Sequence, residues 1–195
     1  GVSGTQEQGR AELKIAASSG GYVKPEAMNI LTYIYGYLED KIPRALAYTD
    51  TLVSRYPESP YQWSIRADLQ LVAGDTTSAH SSMEKIEALI PDLMEIYREE
   101  YRNKMVYLSG LLEYHRENYE LSVEYLSYYL RHKLEEYDLQ AENAQLYIGK
   151  SYGMMGERSR SEFWLREVLN RDIPTRMQEE ARRELDALHN QPSGD

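Results

Sequence analysis

Apolar residues recur through most of the chain at intervals of three and four positions, the spacing that places them on one face of an α-helix. Runs that alternate apolar and polar residues, as half-buried strands do, are hard to find. Turn signals rich in glycine, proline and aspartate interrupt the pattern about every 15 to 20 residues. The pattern therefore predicts an all-α protein of about ten antiparallel helices joined by short loops. The predicted helices cover 5–18, 25–39, 41–56, 60–73, 75–90, 95–116, 118–132, 138–155, 158–170 and 175–189.

Residues with helix-capping chemistry stand at the ends of the predicted helices. Four of them precede a helix, where a side chain can accept a hydrogen bond from a free backbone N–H: Asp40, Asp75, Asn118 and Asp172. Gly20 and Gly74 follow a helix, where the left-handed conformation that glycine adopts easily ends the helical run. These residues predict the helix boundaries to within a few positions.

Matching residues recur at a fixed distance along the chain, which indicates internal repeats. Three pairs lie 34 positions apart: Ala45 with Ala79, Leu52 with Ile86, and Pro57 with Pro91. Three later pairs lie 39 positions apart: Gly110 with Gly149, Ser122 with Ser161, and Leu126 with Leu165. We interpret these pairs as equivalent positions in four helical hairpins, the later ones longer by about five residues.

These repeats resemble the tetratricopeptide repeat, a helix-turn-helix unit of about 34 residues. The second unit matches the repeat pattern at Trp63, Ala67, Gly74, Ala79, Met83 and Pro91. The resemblance implies one domain over 1–195, a right-handed α-solenoid with a preceding helix in 1–21, four hairpins in 22–174 and a capping helix in 175–189. The turn at 54–61 is also similar to the inter-repeat turns of bacterial envelope proteins with such repeats, which favours the cell envelope over the cytoplasm.

The last predicted helix is apolar on one side only. Its apolar stripe consists of Ile173, Met177, Ala181, Leu185 and Leu188. The side expected to face water carries Arg176, Glu179, Arg182, Arg183 and Asp186. Because a stack of repeats exposes an apolar end, we expect this helix to cover it.

Charge and composition exclude several classes of partner and site. The chain has 32 acidic and 22 basic residues and a net charge of −10, so nucleic acid and anionic lipid surfaces are unfavourable partners. The uncharged run at 27–38 is too short to cross a bilayer, and the chain has no cysteine. The four histidines stand apart from one another, without the spacing of metal ligands. We therefore predict no catalytic residues, metal or cofactor, and an enzyme with a carboxylate or histidine site is the least favoured alternative.

Tyrosine is unusually frequent, with 18 Tyr against one Phe. Most of these rings are expected to replace phenylalanine in a slender core where the hydroxyl can still reach water. The repeat family places some first-helix residues on a concave face, where they could bind a partner: Tyr37, Tyr61, Lys104, Tyr107, Leu111, Tyr114 and Lys150. Tyr107, Leu111 and Tyr114 follow helical spacing and are the predicted anchors. Lys104 and Lys150 could orient an acidic segment.

The resemblance favours a non-enzymatic scaffold that binds a peptide or partner helix on its concave face. The alternative is a structural arm that assembles or dimerises a larger protein. The sequence leaves the partner, the compartment and the oligomeric state open.

Overall fold

Ten α-helices and no strand form within the residues that this computed structural model describes, which are 5–19, 21, 23–133, 139–170 and 174–190. The helices are α1 (Gln6–Ser18), α2 (Lys24–Tyr33), α3 (Ile42–Arg55), α4 (Pro60–Val72), α5 (Thr76–Leu89), α6 (Glu95–His115), α7 (Tyr119–His132), α8 (Leu139–Met154), α9 (Arg158–Leu169) and α10 (Arg176–Asn190). The predicted all-α class is confirmed, and nearly every predicted boundary lies within one residue of an observed one. The exception is the predicted helix 25–39, which is α2 followed by a π-helical turn, Ile34–Leu38, hereafter the π turn.

Local capping explains some of the boundaries. Asp75 accepts a hydrogen bond from the backbone N–H of Ser78 over 3.0 Å at the start of α5, as predicted. Hydrogen bonds from the side chain of Ser78 and from its backbone N–H stabilise the ionised carboxylate and lower the pKa of Asp75. Gly74 and Gly156 have φ values of 78° and 77°, in the left-handed region that glycine adopts without steric cost.

Two of the predicted caps are wrong. Asp40 adopts a positive φ of 49°, and α3 begins after Lys41 without a side-chain cap. Asn118 points its amide group back toward the preceding helix, where Nδ2 donates to a carboxylate oxygen of Glu113 over 2.6 Å. Gly20 and Asp172, the remaining predictions, lie outside the described residues.

Small residues allow the helices of a hairpin to approach closely. A Cβ atom added to Gly110 would lie 2.6 Å from Cγ of Leu126, and one added to Gly149 would lie 2.9 Å from Cγ of Leu165. These pairs join α6 to α7 and α8 to α9. The two glycines 39 positions apart therefore have the same role, which supports the equivalence of the two hairpins.

Alternate helices also contact one another, α4 with α6, α6 with α8 and α8 with α10. We call these helices, together with α2 and its π turn, the inner set: α2, α4, α6, α8 and α10. One buried apolar cluster joins the two ends of the chain, because Leu31 and Tyr35 belong to it together with Leu146, Met177 and Leu185. Direct contacts between α10 and the π turn close this arrangement. Helices of the inner set therefore contact helices that are distant in sequence as well as their neighbours along the chain.

The last helix has the predicted apolar stripe and one residue that contradicts the prediction. Met177, Ala181, Leu185 and Leu188 are buried, whereas Ile173 lies outside the described residues. Arg176 was expected to face water but is only 2% exposed. It is buried because α10 packs against the inner helices on the side where Arg176 stands, and it finds polar partners there.

Candidate functional site

The inner helices meet at a buried polar cluster, which we call the central network: Tyr37, Asp68, Tyr107 and Asn143. The Asp68 carboxylate accepts hydrogen bonds from the hydroxyl of Tyr37 over 2.5 Å and from that of Tyr107 over 2.6 Å. Nδ2 of Asn143 donates to the Tyr107 hydroxyl over 2.8 Å and to Asp68 over 3.4 Å. The π turn, α4, α6 and α8 each contribute one residue, so this network ties four inner helices together.

Both tyrosines of the central network are held in their protonated form. Burial raises the pKa of Tyr37 and of Tyr107, and the charge of Asp68 raises each pKa further. The hydroxyls therefore remain hydrogen-bond donors to the carboxylate over the physiological pH range. This arrangement satisfies a buried charge, which would otherwise be costly to keep away from water.

Arg176 connects the central network to α10. Its Nη2 donates to Oδ1 of Asn143 over 3.1 Å, and its Nε donates to the backbone carbonyl of Gly36 over 3.2 Å. Its Nη1 donates to Glu180 over 2.9 Å, and Glu180 also accepts from Nζ of Lys150 over 2.5 Å. We call Arg176, Glu180 and their partners Gly36, Asn143 and Lys150 the α10 clasp.

Aromatic rings surround the ammonium group of the clasp. Nζ of Lys150 lies 5.3 Å from the ring centre of Tyr114 and 4.9 Å from that of Tyr147. Burial alone would lower the pKa of Lys150, but the charges of Tyr147 and Tyr114, ionised only at high pH, and of Glu180 outweigh burial and the pKa is raised. Burial raises the pKa of Tyr147 to about 12, although the charge of Lys150 opposes that shift. At neutral pH the ammonium is therefore charged and both hydroxyls are neutral.

Glu180, the acidic member of the clasp, is held as a carboxylate. Burial by itself would raise its pKa, but the charges of Lys150 and Arg176 outweigh burial and lower the pKa overall. The clasp is thus an ionised carboxylate between two cations.

Three of the seven residues predicted to line a binding surface are buried: Tyr37, Tyr107 and Leu111. The two tyrosines belong to the central network, and Leu111 lies in an apolar cluster with Leu126. Tyr107, Leu111 and Tyr114 therefore do not form the exposed stripe that their spacing predicts, because only Tyr114 reaches the surface. Their part in binding a partner stays a prediction.

The other four predicted residues come together in pairs. Tyr114 and Lys150 meet in the α10 clasp. Tyr61 and Lys104 meet at the outer edge of the inner set, where Nζ of Lys104 lies 5.9 Å from the Tyr61 ring centre. The sequence placed all four on one groove, whereas the structure divides them between a largely buried clasp and an open edge.

The open edge carries exposed tyrosines from three inner helices. Tyr33 of α2, Tyr61 of α4 and Tyr97 of α6 are 40%, 44% and 45% exposed. Lys104 lies between the Tyr61 ring and that of Tyr101, 5.2 Å away, and pairs with Glu100 over 2.9 Å. We call this surface the tyrosine rim; its members are Tyr33, Tyr61, Tyr97, Tyr101 and Lys104.

The hydroxyl groups of the rim lie close enough to influence one another. Burial raises the pKa of Tyr101, and the neighbouring Glu100, Tyr61 and Tyr97 raise it further. The Tyr33 ring lies 6.2 Å from that of Tyr37, whose pKa responds to Tyr61. The rim is therefore continuous with the central network beneath it.

Sequence reasoning missed Arg176 and Glu180 as inner-face residues, because the repeat pattern assigns α10 only a capping role. A usable signal existed: the two stand four positions apart, directly before Met177 and Ala181 of the apolar stripe. A cation and a carboxylate at this spacing share a helix face. They therefore sit at the edge of the face that packs inward.

The part of the chain that the structure describes has no candidate metal site. There, no group of three or more His, Asp and Glu side chains has a geometry that could hold a metal ion. On α5, His80 lies 3.6 Å from Glu84. His189 of α10 lies 3.5 Å from Glu162 of α9. None of the described helices combines the length and the apolar character needed to cross a bilayer.

No protein-family model matches the chain, and no curated protein matches it with significant similarity.

Proposed function

We propose that this protein is a non-enzymatic interaction module that binds a peptide or partner helix at the tyrosine rim. Its hairpins form a tetratricopeptide-like, right-handed solenoid with a preceding helix and a capping helix. Helices packed in neighbouring pairs and the close contacts of Gly110 and Gly149 support this architecture. Stacked hairpins bury their apolar faces against one another and leave an extended surface available for binding.

The observation that carries the proposal is that Tyr61 and Tyr97 both neighbour Tyr101, which together with Tyr61 contacts Lys104, while Tyr33 extends the surface beside Tyr37. Three exposed aromatic rings from three helices form a surface larger than one side chain, whereas single exposed apolar residues are common on any protein. Tyrosine is enriched at protein interfaces because its ring buries apolar area while its hydroxyl forms hydrogen bonds. The rim therefore has the composition of an interface.

Lys104 gives this surface a preference for acidic groups. Its ammonium lies between two rings, and its side chain is 21% exposed. The carboxylate of Glu100 is its nearby partner on the same helix. An acidic residue of the bound segment can replace Glu100 at little cost, because a pair this close to water contributes little to stability.

The test uses photo-crosslinking from the rim of the full chain. A photoreactive phenylalanine replaces Tyr61 in one variant and Phe163 in the control; Phe163 is 58% exposed and lies on α9, which contributes no residue to the rim. We expect position 61 to crosslink to one partner segment, mapped by mass spectrometry, and position 163 not to. The crosslink should weaken in a Tyr33→Ser, Lys104→Glu background with an unchanged melting temperature. Equal crosslinking from both positions, or none from position 61, would contradict the proposal.

A structural assembly role is the second candidate. It is favoured by exposed apolar side chains on and just after the first helix, where Ile15 of α1 and Val23, which precedes α2, are 67% and 66% exposed. If this end stacks against another copy, Ile15→Ser should reduce the sedimentation coefficient at high protein concentration. The Tyr61→Ser variant should leave that value unchanged.

A further inference from the structure

The last helix of the chain occupies the inner face as a bound helix would. Nε of Arg176 donates to the carbonyl of Gly36, a residue 140 positions earlier in the sequence. The π turn leaves this carbonyl available, because the N–H of Lys41 bonds to the carbonyl of Tyr35 instead. The contact therefore joins the two ends of the helical array directly.

The attachment of α10 depends strongly on its polar contacts. Its buried apolar side chains are few: Met177, Ala181, Leu185 and Leu188. Its opposite face is exposed and charged, with Glu179, Arg182, Arg183 and Asp186 in water. A helix that is held by a narrow apolar stripe and has a charged outer face in water belongs to the elements that open at the lowest free-energy cost.

We propose that α10 is a built-in occupant of a helix-binding site on the inner face, and that it opens as a unit to admit a partner helix. The partner repeats the chemistry of α10: an arginine, a glutamate or aspartate four positions later, and apolar residues one, five and nine positions after the arginine. This inference rests on the proposed interaction function and names a class of partner for it. The site of this inference is covered by α10 in the structure, whereas the tyrosine rim is a different surface that is exposed to solvent.

The geometry of the clasp requires a guanidinium group in the partner. Two acceptors with different positions, the Gly36 carbonyl and Oδ1 of Asn143, bind two different nitrogens of Arg176. A planar guanidinium presents several N–H groups in a fixed fork, whereas a lysine ammonium is a single point charge. An arginine is therefore preferred over a lysine at this position.

The surroundings of Lys150 likewise specify the acidic residue of the partner helix. Lys150 is held between two tyrosine rings with its side chain only 14% exposed, and Glu180 neutralises it. Removing α10 would leave this ammonium beside the rings without that carboxylate. A carboxylate four residues after the arginine returns to the same place, because residues four apart share one helix face.

Hydrogen exchange on the full chain tests whether α10 opens as a unit. Arg176→Met removes the donors with little change in side-chain length, and Arg182→Met is the matched control on the exposed face of the same helix. We expect Arg176→Met to speed amide exchange in α10 and in the π turn by about tenfold or more, and to leave α5 unchanged. Exchange that rises equally in all helices, or that leaves the π turn unchanged, would overturn the proposal.

A synthetic peptide with the sequence of residues 174–190 tests the site itself. With this peptide labelled for fluorescence anisotropy, the Arg176→Met chain should bind it about tenfold or more tightly than the wild-type chain, whose own α10 competes. Peptides carrying Arg176→Lys or Glu180→Gln should bind more weakly than the wild-type peptide. If Arg176→Met does not fold, the milder Glu180→Gln chain replaces it.

Two results would refute the inference: an Arg176→Met chain with faster α10 exchange that does not bind the peptide, or variant peptides that bind as well as the wild type. Neither result bears on the crosslinks from the tyrosine rim. Conversely, a rim without crosslinks leaves the peptide measurement intact, so the two proposals fail separately.

Discussion

Tyr107 on α6 donates its hydroxyl hydrogen to the carboxylate of Asp68 on α4, over 2.6 Å and with both side chains fully buried. The same carboxylate accepts from Tyr37 at the other end of the inner set. One acidic group thus connects helices that are not neighbours in sequence. Its removal should affect the stability of the whole inner set.

We expect Asp68→Asn to lower the free energy of unfolding by about 3 kcal/mol, because an amide NH₂ would replace one of the two oxygens and face a tyrosine hydroxyl that donates to that oxygen. Urea unfolding followed by circular dichroism measures the change. Asp50→Asn is the control, since Asp50 is largely exposed and forms a surface ion pair with Arg66. A loss no larger than that of the control would show that the network contributes little.

Glycine-to-alanine substitutions should change the stability of the protein in opposite directions at buried and at exposed sites. Gly110→Ala and Gly149→Ala place a Cβ against Leu126 and Leu165, so each should destabilise the protein by about 1–3 kcal/mol. Gly9→Ala, in an open position of α1, should stabilise it by about 0.5–1 kcal/mol because alanine favours helix. Thermal melts distinguish the two groups. Equal melting temperatures for Gly110→Ala and wild type would mean that α6 and α7 are less closely packed.

The contribution of Glu180 to stability should depend on acid pH. The pKa of Glu180 is lowered in the folded state, so its stabilisation is complete above the ordinary glutamate pKa of about 4.3 and is lost as the pH falls through the lowered value. Glu180→Gln should therefore cost about 1–3 kcal/mol at pH 7, as expected for bonds between charged groups, and progressively less toward pH 3. Urea unfolding of both proteins across this range measures the difference. A difference independent of pH would contradict the assignment.

His115 should produce a second, separate pH dependence. Burial lowers its pKa in the folded state, and the nearby charge of Lys150 lowers it further. The unfolded chain then binds more protons than the folded one, so stability falls as the pH drops below the ordinary histidine pKa of about 6.5. His115→Gln should flatten the stability profile between pH 6.5 and 5. A stability profile that His115→Gln leaves unchanged over this range would contradict the prediction.

The sequence by itself determined the helices and the hairpin contacts. Periodicity, Asp75 and Gly74 act within a few residues of the chain, so helix boundaries can be inferred without knowing what a helix packs against. The spacing of Gly110 and Gly149 similarly predicted that they are equivalent positions of two hairpins, and both glycines have the same close contact there, because two helices joined by a short loop have few ways to pack.

Only the tertiary structure decided which inner side chains face a solvent-accessible surface and which meet one another. Tyr107 and Tyr61 look equivalent in sequence, yet the first is buried against Asp68 and the second lies on the rim. Arg176 carries a charge that local rules place in water, but the Gly36 carbonyl, 140 residues away, compensates its burial. Helical periodicity predicts which face of a helix a residue lies on. The free energy of burying its side chain depends on polar partners, which only the packing of distant helices supplies.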